Sequence, residues 1–283
     1  SRRRHIVRVT FYCCVLSIKI QQVRMMNWIK ELKVDALKVY VYETRAEMGV
    51  SAYEFYKQKI LQMMTNRKEN IRAIFAAAHS QSDFFEALVN DRDIDFSRID
   101  AFHMDEYIGL GDDAPQNFGN FLKNRIFSRQ NFNSVNYVNP SANDINAECK
   151  RYEKLLREAP LDIVSLGIGE NGHIAFNDPH EARFYDPQWV RETSLDVVCR
   201  QQQVNDKEFS RLDEVPETAL TLTIPALMSC KTVIGVVPDV RKAKAVYETL
   251  NGPVSETCPA SILRIHNDAT LFIDKDAASL LEI

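Results

Sequence analysis

Leu161-Asp-Ile-Val-Ser-Leu-Gly-Ile-Gly-Glu-Asn-Gly-His173 joins a short apolar run to a turn built on glycines, and its reading decides the fold. The run is too short for a helix, is rich in β-branched residues and stops at Gly167, which predicts a buried strand. Similar runs recur at 37–42, 71–76, 98–103, 232–237 and 269–273. Helical spacing of apolar residues fills 45–64, 83–89 and 240–250 between them. Strands separated by helices build βαβ units, and these predict a mostly parallel sheet covered on both faces. The expected fold is a single doubly wound α/β domain.

Composition agrees. The 283 residues are 45% hydrophobic and 26% charged, with a net charge of −4, which argues against a nucleic-acid binder. No apolar run reaches the roughly 18 residues that a membrane span needs, so a soluble, cytoplasmic protein without membrane partners is expected. The six cysteines lack CxxC spacing, which predicts reduced thiols and gives no support for a metal site. Residues 1–25 carry Arg2, Arg3 and Arg4 before a ten-residue apolar stretch, with Met25 and Met26 following. They read as an N-terminal extension outside the fold, and 26–283 as one domain.

In such a sheet, ligands bind beyond the carboxyl ends of the strands. Four predicted strand ends carry polar residues: His79-Ser-Gln-Ser82, Met104-Asp-Glu-Tyr107, Glu170-Asn-Gly-His173 and Pro238-Asp-Val-Arg-Lys242. Taken singly, each has a plain structural reading. Ser80 and Asp83 suit a helix cap, Asp105 and Glu106 a solvated turn, and His173 a core histidine. The glycines of Gly167-Ile-Gly-Glu-Asn-Gly172 lack the following helix and the acidic residue of a dinucleotide site. Lys242 is different, because it falls in a predicted first helical turn, where the macrodipole disfavours cations. A bound anion would reconcile the two.

Two segments, Phe102-His-Met-Asp-Glu-Tyr-Ile-Gly-Leu110 and Gly167-Ile-Gly-Glu-Asn-Gly-His-Ile-Ala-Phe-Asn-Asp-Pro179, resemble the glucosamine-6-phosphate deaminase/isomerase family. The likeness runs from about residue 37 onward and includes Asp144-Ile-Asn-Ala-Glu-Cys-Lys-Arg-Tyr-Glu153 and Pro216-Glu-Thr-Ala-Leu-Thr221. It implies a Rossmann-like fold and the conversion of glucosamine 6-phosphate and water to fructose 6-phosphate and ammonia, without a cofactor. That activity is expected to fall among hydrolases as well as isomerases and deaminases. The substrate would be a small sugar phosphate, and self-assembly is left open.

The resemblance assigns C2 proton removal to Asp105 and ring opening to His173, whose intrinsic pKa suits giving and taking a proton near neutrality. Two residues before the histidine the family has Asp, and five after it Glu; here these are Asn171 and Asp178. Asp178 can still orient the imidazole, whereas Asn171 carries no charge, so a slower enzyme is expected. Arg200 and Lys242 match the family's phosphate contacts, and Ser80, Gln81 and Ser82 stand where the family has a glycine-rich phosphate loop. That departure keeps galactosamine-6-phosphate isomerase, 6-phosphogluconolactonase and a non-catalytic sugar-phosphate sensor as alternatives.

Overall fold

The computed structural model describes residues 27–282; the expected extension, 1–25, lies outside them. Eleven strands form among the described residues: β1 Trp28–Val34, β2 Leu37–Tyr42, β3 Ile71–Phe75, β4 Ile99–His103, β5 Asp105–Tyr107, β6 Ser134–Asn136, β7 Ile163–Leu166, β8 Val190–Ser194, β9 Thr218–Leu222, β10 Thr232–Val237 and β11 Ala269–Asp274. The α-helices are α1 Arg45–Asn66, α2 Ser82–Val89, α3 Phe118–Leu122, α4 Ile145–Arg157, α5 Val197–Asn205, α6 Ile224–Met228 and α7 Ala243–Asn251. Eight strands make one sheet in the order β1-β2-β11-β10-β7-β3-β4-β6, parallel throughout except for the β1–β2 hairpin.

Strand alternation splits the apolar residues between two cores. Val39, Val41, Ile74, Val164 and Leu166 point to the face covered by α4, α6 and α7. Ile71, Ala73, Phe75, Ile163 and Phe272 point to the other, against Met48, Tyr56 and Ile60 of α1 and Phe84, Phe85 and Leu88 of α2. Successive side chains in a strand face opposite ways, and each fully buried large aliphatic contributes roughly 1.5–3 kcal/mol. The expected doubly wound sheet is therefore present, with helices on both faces.

Helix α1 starts at a capping box, in which Thr44 Oγ1 accepts from the Glu47 N–H and the Glu47 carboxylate accepts from the Thr44 N–H. The expected cap of α2 is not formed. Its N-cap is Gln81, in helical backbone and without a side-chain cap, while Asp83 accepts from Arg45 Nε at 2.7 Å.

Two features were not expected. Strand β1 pairs with β2 around a turn in which Asp35 takes a positive φ of 53°, a conformation that Asp tolerates better than most residues. It forms the sheet edge, where Lys30, Glu31 and Lys33 are exposed and discourage pairing with other chains. The second is a separate antiparallel sheet, β5-β9-β8, that stands beside the main one and starts at Asp105.

Candidate active site

The order in which strands are added reverses between the parallel neighbours β7 and β3. From β3 the chain builds outward to β4 and β6, and from β7 outward to β10 and β11. Loops leaving neighbouring strands for opposite sides open a crevice at the strands' carboxyl ends. A solvent-open cleft of about 1000 Å³ lies there and is lined by Ser80, Asp105, His173 and Lys242, among others. Lys242 follows β10 and Asp105 follows β4, three strand positions apart, which at ~4.8 Å per strand is roughly 14 Å.

His173 closes a compact turn, in which the Gly169 N–H donates to the His173 carbonyl and the Gly172 N–H to the Gly169 carbonyl. Gly172 adopts a φ of +84°, and a Cβ on Gly169 would collide with the imidazole. Both positions therefore need glycine. His173 Nδ1 lies 2.7 Å from Asn171 Oδ1 and 3.1 Å from Asp178 Oδ1. Two facing oxygens place the proton on Nδ1 and leave Nε2 as the basic nitrogen.

Asn171 is a bridge as well as an acceptor. Its Nδ2 donates to Asp178 Oδ1 at 2.9 Å and to Asp196 Oδ2 at 2.8 Å. Asp178 also accepts from the Asp196 N–H, and Asp196 caps α5 through the Cys199 N–H. Burial alone would raise the Asp178 pKa, but hydrogen bonds from His173, Asn171 and the Asp196 N–H hold it below the usual value.

Asp105 and Glu106 are not a solvated turn; both are buried in β5. Burial, and then the neighbouring Glu106, push the Asp105 pKa well above the carboxylate range. Lys242, 7% exposed, ends a 3-10 turn at the start of α7. Its ammonium makes no ion pair or hydrogen bond with the described residues, and burial lowers its pKa, opposed by Asp206 and Glu170. The adjacent Arg241 is committed, to Asp206 at 2.8 Å and Asp239 at 2.9 Å. Two lining residues other than glycine take positive φ, Ala175 at 48° and Asp239 at 92°. Such strain, of order 1–3 kcal/mol each, collects at functional sites.

Other expected residues lie elsewhere. Arg200 does not line the cleft; its guanidinium donates to the Leu212 and Val215 carbonyls and pins the segment after α5. Gln81 is fully buried, and its amide donates to the Leu166 and Val236 carbonyls, tying the ends of β7 and β10 together. Ser82 is the first residue of α2 and also stays out of the cleft. Of the three loop residues, Ser80 alone reaches it.

Arg45, Asp206 and Glu208, which carry no site motif, also line the cleft, as does His79 of the polar strand end that leads to Ser80. His79 faces Glu208 at 2.5 Å, and that contact raises its pKa. Arg45 had a legible signal: it is the first residue of a helix, the same disfavoured place for a cation that marked Lys242.

Ligand atoms of His173, Asp178 and Cys199 lie within 4.8 Å of one another, as do those of Asp178, His180 and Asp196. The first set is already bonded internally, and burial holds the Cys199 thiol protonated, with its pKa well above the usual value. A thiol has to lose its proton to bind a metal, so the arrangement reads as a hydrogen-bonded support for His173.

The bridge makes Asn171→Asp informative. The substitution removes two donors and sets a third carboxylate against Asp178 and Asp196, at an expected cost of about 1–3 kcal/mol at neutral pH. Crowding raises the new carboxyl's folded pKa above its unfolded value. The deficit is therefore small at acid pH and grows as pH rises. An added anion beside the imidazole favours its protonated form, so the acid limb of kcat moves to higher pH. Thermal melts and rate profiles of both proteins across pH check this, and a pH-independent deficit would refute it.

Comparison with known proteins places the site in context. The family model for glucosamine-6-phosphate isomerases/6-phosphogluconolactonase matches residues 43–272. A glucosamine-6-phosphate deaminase of Clostridium acetobutylicum is 34% identical over 233 residues, covering 80% of this chain and 94% of that protein. One of Streptococcus sanguinis is 32% identical over 246 residues, covering 87% and 100%. Among solved structures, a monomeric glucosamine-6-phosphate deaminase aligns with a TM-score of 0.77 at 31% identity, covering 86% of this chain and 99% of that one. A 6-phosphogluconolactonase of Thermotoga maritima aligns with a TM-score of 0.68 at 21% identity over 84% of this chain and 99% of its own, a likeness of fold alone. These findings correct the expected hydrolase label. The relatives above 30% identity are deaminases, whereas the hydrolases share the fold only.

Proposed function

The chain belongs to the family of glucosamine-6-phosphate isomerases and 6-phosphogluconolactonases, and from that premise we propose that it is a glucosamine-6-phosphate deaminase, releasing ammonia and fructose 6-phosphate by acid/base catalysis. The observation that carries this reading is Lys242, a buried and unpaired ammonium sharing one cleft with Asp105 and His173. A buried cation without a partner is costly, and a phosphate group is the counterion that suits it. Asp105 and His173 then meet the sugar.

His173 Nε2 takes the proton of the anomeric hydroxyl and returns it to the ring oxygen as the C1–ring-oxygen bond breaks, and Asp178 and Asn171 hold the imidazole from behind. Asp105 removes the C2 proton; the electrons of the broken C–H bond form the C1–C2 double bond and the carbonyl pair moves onto O1, giving an enol-type intermediate. Protonation at C1 gives a ketose imine, and addition of water expels ammonia. A base must be ionised, whereas burial favours a protonated Asp105. The substrate's own C2 ammonium, brought alongside, is the charge that favours the carboxylate.

Among the described residues no helix is long and apolar enough to cross a membrane. We read these residues as one domain and place the protein in the cytoplasm, in keeping with four buried free cysteines, Cys149, Cys199, Cys230 and Cys258. Incubation with glucosamine 6-phosphate is expected to release ammonia and fructose 6-phosphate in equal amounts, with galactosamine 6-phosphate assayed beside it. Binding of both sugars without ammonia release would overturn the reading, as would hydrolysis of 6-phosphogluconolactone in its place.

A further inference from the structure

Of the buried carboxylates that the mechanism leaves unused, Glu106 adjoins the proposed base in the chain. Glu106 is 3% exposed and does not line the cleft; it follows Asp105 in β5, so the two side chains leave the strand on opposite faces. Its Oε1 accepts from the N–H groups of Tyr107 at 2.9 Å and Phe118 at 3.0 Å, and its Oε2 from the Gly119 N–H at 2.8 Å. His103 Nε2 stands 3.7 Å from Oε2. Its other ring nitrogen accepts from the Val138 N–H at 3.4 Å, so the proton is on Nε2 and faces the carboxylate.

What this carboxylate grips forms part of the cleft. Phe118 and Phe121 of α3 line it, after Pro115 and Gln116 of the preceding loop. Phe118 also stacks on Phe176, another lining residue, with ring centroids 5.4 Å apart. Glu106 is therefore the polar tie between the strand that carries Asp105 and the wall opposite. We propose that Glu106 is a positioning residue for the reaction: its carboxylate clamps the Phe118–Phe121 wall against the strand and keeps a negative charge behind the proposed base. The inference rests on the reading of Asp105 as that base.

The electrostatics agree with the geometry. Burial pushes the Glu106 pKa up to about 7, against three backbone N–H groups that favour its charged form. Glu106 is the charge that raises Asp105 further after burial; Tyr107 and Cys199 are the other ionisable groups coupled to Asp105, and His103 and Tyr107 face Glu106. Burial drives the His103 pKa down to about 3, so this ring stays neutral and cannot cancel the charge.

Two variants separate the roles. Glu106→Gln keeps the shape but removes the charge and turns a donor towards a backbone N–H. Without the neighbouring anion the base ionises more readily, so the acid limb of kcat/KM should move to lower pH, and KM should rise roughly fivefold or more as one hydrogen bond is lost. Glu106→Asp keeps the charge but falls short of the Gly119 N–H, so it should raise KM and leave the acid limb in place. Wild-type pH profiles for both variants, with KM within about twofold, would overturn the inference, since losing a clamp bond is worth more than that. Should Glu106→Gln fail to fold, Glu106→Asp decides by KM alone. Asp105→Asn, assayed in parallel, separates the two failures: activity surviving there refutes the base assignment, whereas an unmoved Glu106→Gln profile beside a dead Asp105→Asn refutes only the clamp.

Discussion

Asp105→Asn is expected to abolish ammonia release and exchange of the C2 hydrogen with solvent, while sugar phosphates still bind. The amide matches the carboxyl in shape but cannot take up a proton, and loss of a general base costs typically 10²–10⁴ in rate. Folding should not suffer. The carboxyl is buried with its pKa far above the usual range, so ionising it works against the fold and an uncharged isostere removes that conflict. In the wild type the same conflict gives a pH dependence with a definite sign. A carboxyl whose folded pKa is raised contributes most to stability below its unfolded pKa and loses that contribution as pH rises. The wild type should therefore lose stability relative to Asp105→Asn as pH climbs, and kcat/KM should fall as pH drops and the base becomes protonated. Solvent exchange at C2 measured by NMR, with melts of both proteins across pH, checks each part. Exchange retained at the wild-type rate would remove Asp105 from the role.

Lys242→Ala is expected to weaken sugar-phosphate binding by about 1.5–3 kcal/mol, the scale of a hydrogen bond to a charged group, or roughly 10- to 150-fold in affinity. The folded protein should not lose stability, because the substitution deletes a buried cation without a partner and so relieves a desolvation cost. Lower affinity with an unchanged or higher melting temperature distinguishes a ligand-binding lysine from a structural one. The ammonium must be charged to hold phosphate, and burial lowers its pKa below the ordinary lysine value. KM should therefore rise on the alkaline side earlier than a surface lysine would allow. Calorimetric titration with glucosamine 6-phosphate and with free glucosamine checks this. Equal affinity of the wild type for both sugars would show that no phosphate site exists.

The central strands and long helices were legible because they obey short-range rules. Ile71–Phe75 and Thr232–Val237 are buried along their whole length, and a short run rich in apolar and β-branched residues, too short for a helix, has few other uses. Strand Trp28–Val34 was harder to see. It alternates weakly, and as an exposed edge it carries Lys30, Glu31 and Lys33, so its apolar signal is diluted. The small sheet was hidden for another reason. Asp105–Tyr107 is three residues long and pairs with residues more than a hundred positions away, so its strand character comes from the partner.

Within the site, which loops meet was legible from the chain alone. Polar residues after four strand ends have to share one side of a parallel sheet, and Lys242 announced itself as a cation where a helix disfavours one. Which side chains turn inward depends on long-range packing. Gln81 spends its amide on two strand carbonyls and Arg200 its guanidinium on a neighbouring loop, while Arg45 and Glu208 reach the cleft from elements far apart in the chain. Asn171 shows the difference most clearly. The family resemblance marks it as a neutral substitute for an acid, whereas its surroundings make it the donor that lets Asp178 and Asp196 lie side by side behind His173. Loop membership follows from local propensity and strand order, which the sequence carries residue by residue. The direction of a polar side chain follows from whichever unsatisfied group packing brings within hydrogen-bond reach, and that group can come from anywhere in the chain.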